Sequence, residues 1–275
     1  MYVVSDVVLE IIPPFTLLTI RLFLALIVLT ALLRGHNPAA GLARRQVLAL
    51  VGVGMLGFGI SVGAQFVGTD KSTAINGTLI TSASPAFILV FAALLLHERL
   101  SPIQVAAVAL ATLGVIVIID PASASFGSQT FLGDLALLVA AVTWGLYSVL
   151  VRRVSRDTDT LRLTWLAFVG GLLITIPAAA LELGTRAVGP ITVPVLLGIL
   201  YLGVISTAGA MWWWNRAFAL VPASTASLFF FAQPLVGAVL SVALLGQPMT
   251  ANLWMGSGCI VVAVLLALRT GRAAA

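Results

Sequence analysis

Little in this chain could do covalent chemistry. Its 275 residues include nine acids, two histidines and one cysteine. Cys259 stands alone inside an apolar run, so it cannot form an intramolecular disulfide, and it reads as a small core residue. His36 and His97 end different apolar segments, with no acid or cysteine cluster at ligand spacing, so no metal site is expected. An enzyme would need a nucleophile with a base, or paired acids at one depth, and the sequence holds neither. It has no phosphate-binding loop, so it does not drive work with ATP unaided. No cofactor is expected.

The side chains that could recognise a solute lie inside apolar runs, where polar groups are costly and tend to face a cavity or a partner. Asn76, Ile80 and Ser84 are spaced i, i+4, i+8 and share one helix face. Thr225, Phe229 and Gln233 repeat that spacing later in the chain. Each stripe ends just before a proline, Pro85 or Pro234, which removes a backbone donor and can kink its helix. Two such stripes could line one cavity; ordinary interhelical hydrogen bonding would use the same residues. Trp144 and Tyr147, spaced i, i+3, could stack on a flat solute or sense a cation. The Trp212–Trp214 run beside Arg216 suits an interfacial belt instead. Glu98, between His97 and Arg99, reads as a turn with local charge pairing, and Asp134 as the start of a helix.

Two full charges fall deep in apolar segments. Asp6 precedes Pro13 by seven residues and Arg21 follows Pro14 by seven. If a hairpin turns at the prolines, both side chains lie roughly 10 Å below it at 1.5 Å per residue. Equal depth on adjacent helices predicts an intramembrane ion pair of Asp6 with Arg21. The pair could be a static clamp, or a switch in which solute or a proton competes for Asp6.

The elements that position these groups follow from composition. Hydrophobic residues are 61% of the chain and charged residues 8%, against about 25% charged in a soluble domain. There are too few charges to cover a water-facing surface, so the lipid bilayer is the expected solvent and partner. The net charge of +5 comes from thirteen arginines and one lysine. No basic run with interleaved aromatics is present, so no nucleic-acid partner is expected.

A helix needs about 20 apolar residues to cross the hydrocarbon. The pattern predicts crossings near 1–12, 16–33, 47–67, 73–96, 101–119, 132–151, 162–181, 193–215, 223–245 and 250–268. The breaks fall at Pro13-Pro14, Gly35–Pro38, Asp120-Pro121, Gly189-Pro190 and Gly246–Pro248. On alternate sides of these crossings the loops hold eleven basic residues against two, Lys71 and Arg186. That bias puts both termini in the cytoplasm. The first segment is short, and Tyr2 takes the place of Tyr147 in it; the expectation is that about ten apolar residues precede Met1 in a full first helix.

Residues 73–120 also align on 222–269 at an offset of 149, matching Ala74 with Ala223, Ala83 with Ala232, Pro85 with Pro234 and Val115 with Val264. About five crossings separate the copies, and an odd number inverts the second. Inverted copies around a midplane site are a common plan of secondary transporters.

The stretch Phe131–Leu138, with Ala141–Arg153 after it, resembles the start of the second repeat in the EamA-like family of the drug/metabolite transporter superfamily. Ser84–Phe87 followed by His97–Ser101, and then Gly114-Val115, resemble the fourth helix, turn and fifth helix of its first repeat. The resemblance spans essentially the whole chain. It implies an all-α integral membrane protein of ten helices in two inverted five-helix repeats, residues 1–120 and 131–270, around a central cavity. It also implies export of amino acids, metabolites or drugs by alternating access. Gln247 stands where an acid often occurs, and half of the first helix is missing. The expected substrate contacts are Tyr2, Asp6, Asn76, Ser84, Trp144, Tyr147, Phe229 and Gln233. A non-transporting scaffold or receptor would explain the helices but not the repeated polar faces.

Overall fold

The computed structural model describes residues 4, 8–34, 37–72, 74–119, 130–155, 158–232, 236 and 251–272. Helices account for nearly all of them. The first, α1 (Pro14–Leu32), has proline in its first turn, where a missing N–H costs nothing. Next come α2 (Arg44–Lys71), α3 (Ala74–Thr81), α4 (Ser84–Leu96) and α5 (Pro102–Ile119). The second half supplies α6 (Phe131–Val154), α7 (Thr160–Leu183), α8 (Val193–Leu220), α9 (Ala223–Ala226) and α10 (Ala251–Arg272). A 3-10 stretch, Ser227–Phe231, continues α9. Asp159 caps α7 by accepting from the N–H groups of Leu161 and Arg162. His97 ends α4 in the left-handed region, at φ 54°.

Five of these helices, α1, α2, α6, α7 and α8, are long and apolar enough to cross a membrane. Two differences from the expected segments have clear causes. The 73–96 crossing is two helices, broken at Ser82-Ala83. Pro85 has no N–H to give to the preceding turn. The N–H groups of Ala83 and Ala86 instead bond three residues back, to Ile80 and Ala83, at 3.1 and 3.0 Å. The 47–67 and 193–215 crossings are longer than expected, 28 residues each. Both contain a π-helical stretch, Met55–Ser61 and Tyr201–Gly209. The tryptophan run therefore lies within α8 and does not end it.

The chain forms two compact units, Met1–Val67 with Leu150–Leu220, and Gly68–Val149 with Val221–Ala275. In the first unit α1 packs on α7 and α8, and α7 packs on α2. Glycines allow the close approach. A Cβ on Gly54 would lie 1.9 Å from the carbonyl oxygen of Ala167, and one on Gly170 would lie 2.0 Å from that of Val51. Three contacts give the sense of the α1–α7 pair: Thr16 with Glu182, Leu22 with Gly171, and Thr30 with Trp165. One number rises as the other falls, so the helices run antiparallel. In the second unit α10 packs on α5. Gly114 lies against the Gly256 carbonyl, Cys259 and Ile260, and Ala107, Ala111, Val115, Phe231 and Ala263 fill the core around them.

The sequence offset recurs in the helix boundaries. Helices α2, α3 and α5 begin at Arg44, Ala74 and Pro102, and α8, α9 and α10 begin at Val193, Ala223 and Ala251, each 149 residues on. Two pairs of helices that correspond by this offset are also packing partners, α1 with α7 and α5 with α10. The α1–α8 contact has the α7–α2 contact as its counterpart. Leu22 and Gly171, which touch, are themselves 149 apart.

Candidate functional site

In the second unit, α6 carries two of the expected contacts, Trp144 and Tyr147. Gly145 presses on α4, where an added Cβ would meet Phe87 Cβ at 2.8 Å and the Ile88 nitrogen at 3.2 Å. Trp144 and Tyr147 flank Gly145 in sequence on α6. Their ring centroids are 5.1 Å apart at 37°. Tyr147 is fully buried and Trp144 half-buried. Asn76, Ser84 and Pro85 are buried in the same unit. Phe229, in the 3-10 stretch, is 49% exposed and so is not enclosed by its own unit.

Asn76 has a specific partner. Its Nδ2 donates to Asp134 Oδ1 at 3.0 Å, and Ser72 Oγ donates to the same oxygen. Asp134 thus does more than start α6: it ties that helix to α3. Gly133 supports the tie by letting α6 approach the backbone of Lys71 and Ser72 to 2.6–2.7 Å of an added Cβ.

Two further carboxylates hold helix starts, and in the same way. Glu98 accepts from the N–H groups of Ala223 and Ser224, at 3.0 and 3.2 Å, and from Ser224 Oγ at 3.0 Å. Glu182 accepts from the N–H groups of Phe15 and Thr16, at 3.2 and 2.9 Å, and from Thr16 Oγ1 at 3.1 Å. Both sites read Pro-X-Ser/Thr, Pro222-Ala223-Ser224 and Pro14-Phe15-Thr16. A helix start leaves N–H donors without intrahelical acceptors, and a carboxylate satisfies two and suits the dipole. The Glu98 oxygens serve a helix start about 125 residues away, a role its position between His97 and Arg99 does not reveal. Glu182 went unnoticed in the sequence. The Pro-X-Ser/Thr motif was a usable signal for where a cap was needed, but not for which acid supplies it.

In the first unit Arg21 is 4% exposed. Its Nε donates to Thr207 Oγ1 at 3.0 Å, and Thr207 Oγ1 donates to the Leu202 carbonyl at 2.7 Å. The second bond reaches five residues back, within the π-helical stretch Tyr201–Gly209. Among the described residues, buried Arg21 Nη1 has no hydrogen-bond partner. Tyr2, Asp6, Gln233 and Pro234 lie outside the described residues, so the Asp6–Arg21 pair and the Pro234 kink do too. Among the described residues no group of three or more His, Cys, Asp or Glu side chains could hold a metal ion.

Apolar helices of crossing length, with polar groups tied off by internal caps, define a multi-pass membrane protein. The sequence matches the EamA-like transporter family over residues 1–120 and 131–269, and the chain belongs to that family. It is 27% identical over 227 residues to the uncharacterized transporter YyaM of Bacillus subtilis, covering 82% of this chain and 74% of that one. It is also 27% identical over 214 residues to an uncharacterized transporter of Archaeoglobus fulgidus, covering 77% and 75%. A protein of known crystal structure shares the fold, with a TM-score of 0.83 at 21% identity over 98% of this chain and 93% of the other. The protein is a membrane transporter.

Proposed function

We propose that the protein is a secondary transporter that exports small organic solutes by alternating access around a midplane cavity. The observation that carries this reading is the 149-residue offset, found in the sequence and again in the helix starts. The antiparallel run of α1 and its counterpart α7 supports inversion of one copy, residues 131–270, relative to the other, residues 1–120. Inverted copies give one chain two related conformations, open to opposite sides. Each compact unit draws helices from both copies, so a body that moves as a whole carries parts of both. The export direction rests on the family resemblance. The basic-residue bias supports a cytoplasmic membrane location with both termini inside.

The solute contacts in this reading are Trp144, Tyr147 and Ser84, with Tyr2, Asp6, Phe229 and Gln233 completing the set. Asn76 contributes through its tie to Asp134 as well as its position. The test is reconstitution in liposomes without ATP, loaded with amino acids, polyamines or aromatic cations. Release of at least one solute faster than from protein-free vesicles is expected. Correctly folded protein that moves none of them would sink the reading.

The aromatic pair yields a separate prediction. Trp144→Ala should lower kcat/KM for an aromatic or cationic solute by about 0.5–2 kcal/mol, with folded yield retained. Tyr147 is fully buried, so Tyr147→Ala also opens a void, and Tyr147→Phe is the cleaner probe. Unchanged kinetics in both Trp144→Ala and Tyr147→Phe would remove the pair from the site.

A further inference from the structure

Arg21 is a buried cation whose Nη1 has no partner among the described residues, in a unit whose described acids cap helices or are exposed. In the first unit Glu182 caps α1 and Asp159 caps α7. Glu10 is exposed. The nearby core is apolar, including Ile12, Leu17, Ile199 and Leu202. A guanidinium carries five donors in a planar fork and stays charged, so an anion is the partner its chemistry calls for. A charge left this way in hydrocarbon is costly unless something repays it.

The repeat shows that the fold does not need this charge. Shifted by 149 residues, Arg21 becomes Gly170 and Thr207 corresponds to Phe58. There the counterpart helices α7 and α2 close through glycine and an edge-to-face pair, Phe58 with Phe168, ring centroids 4.7 Å apart. One interface is apolar and the other holds a half-satisfied arginine. The arginine is also gripped at a π-helical stretch, a distortion that frequently marks functional positions.

We propose that Arg21, oriented by Thr207, binds the carboxylate of a small organic solute through Nη1. A single buried cation is neutralised by one negative charge, which favours a monocarboxylate over a phosphate dianion. Thr207 is the positioning residue: its hydroxyl holds Nε at 3.0 Å and so restricts the orientation of the fork. This assignment rests on the transporter reading for its meaning, but binding can be measured without transport.

Purified protein in detergent is unfolded by heat in sodium benzoate, sodium acetate, sodium phosphate or sodium chloride at one ionic strength. Benzoate or acetate should raise the midpoint saturably above the chloride value, and phosphate should do so less. The rise should vanish in Arg21→Leu, shrink in Arg21→Lys, and need roughly tenfold more benzoate in Thr207→Val, the equivalent of about 1.4 kcal/mol. If Arg21→Leu does not fold, Thr207→Val and Arg21→Lys carry the test. Asp6→Asn addresses the rival occupant expected from sequence. A benzoate response at lower concentration in that variant means Asp6 competes for the same guanidinium and supports the site. The proposal is overturned by an undiminished response in Arg21→Leu, or in both Thr207→Val and Arg21→Lys. It is also overturned if neither the unaltered protein nor Asp6→Asn responds to a carboxylate. Such a failure would leave liposome transport untouched, and a failure of transport would leave the binding result standing.

Discussion

Gly54→Ala and Gly170→Ala should each lower the thermal unfolding midpoint sharply, while Gly52→Ala, two residues away on α2, should not. The added methyl at Gly54 would sit 1.9 Å from the Ala167 carbonyl oxygen, and the one at Gly170 would sit 2.0 Å from that of Val51. These are backbone atoms, so relief requires α2 and α7 to move apart. Overpacking of this kind costs about 1–3 kcal/mol, and more where no side chain can yield. An added methyl at Gly52 meets nothing within 4 Å. There the helix preference for alanine should leave stability unchanged or raise it by up to about 1 kcal/mol. The check is thermal unfolding of the three variants in one detergent. Equal midpoints for all three would mean that α2 does not lie on α7 through these glycines.

The second large effect is expected at the carboxylate caps. Glu182→Ala strips acceptors from two backbone N–H groups and the Thr16 hydroxyl at the start of α1. Hydrogen bonds to charged groups are worth about 1.5–3 kcal/mol each, and three sharing one partly exposed carboxylate should total roughly 2–5 kcal/mol. Glu182→Gln keeps one acceptor oxygen and should recover part of the loss. Thr16→Val alone should cost about 1 kcal/mol, and less again when Glu182 is already alanine, because the two changes remove the same bond. Glu98→Ala should behave alike through Ala223 and Ser224. Strictly additive losses for Thr16→Val with Glu182→Ala would show that these side chains do not share a bond.

Several features were legible in the residues. The start of α1 follows from Pro13-Pro14, that of α5 from Pro102, and the break before α4 from Pro85, because proline fixes φ and lacks a donor. The 149-residue offset, which the starts of α2, α3, α5, α8, α9 and α10 share, was visible in aligned alanines, and the family in the Phe131–Arg153 stretch. The unusual length of α2 and α8 was not legible, since polar ends such as Arg44-Arg45 and Thr69–Lys71 read as loop. Their π-helical stretches carry no composition signal: Met55–Ser61 and Tyr201–Gly209 look like any small-residue apolar run.

The candidate site divides in the same way. Trp144, Tyr147, Asn76, Ser84 and Arg21 could be singled out because a polar or amphipathic group in an apolar run is costly wherever it points. What each group touches could not be read, because the partners are distant in sequence. Asn76 meets Asp134, 58 residues on, Thr16 meets Glu182, 166 residues on, and Arg21 meets Thr207, 186 residues on. Composition and proline placement determined by themselves that the chain is helical and lives in a bilayer, since hydropathy and missing donors act locally. Which acid caps which helix, and that Arg21 lies beside a hydroxyl with its Nη1 unpartnered among the described residues, was decided only by the tertiary structure. Those facts depend on helix crossings set by glycine contacts between segments far apart in the chain, such as Gly54 on Ala167 and Gly203 on Leu24, and no local pattern encodes them.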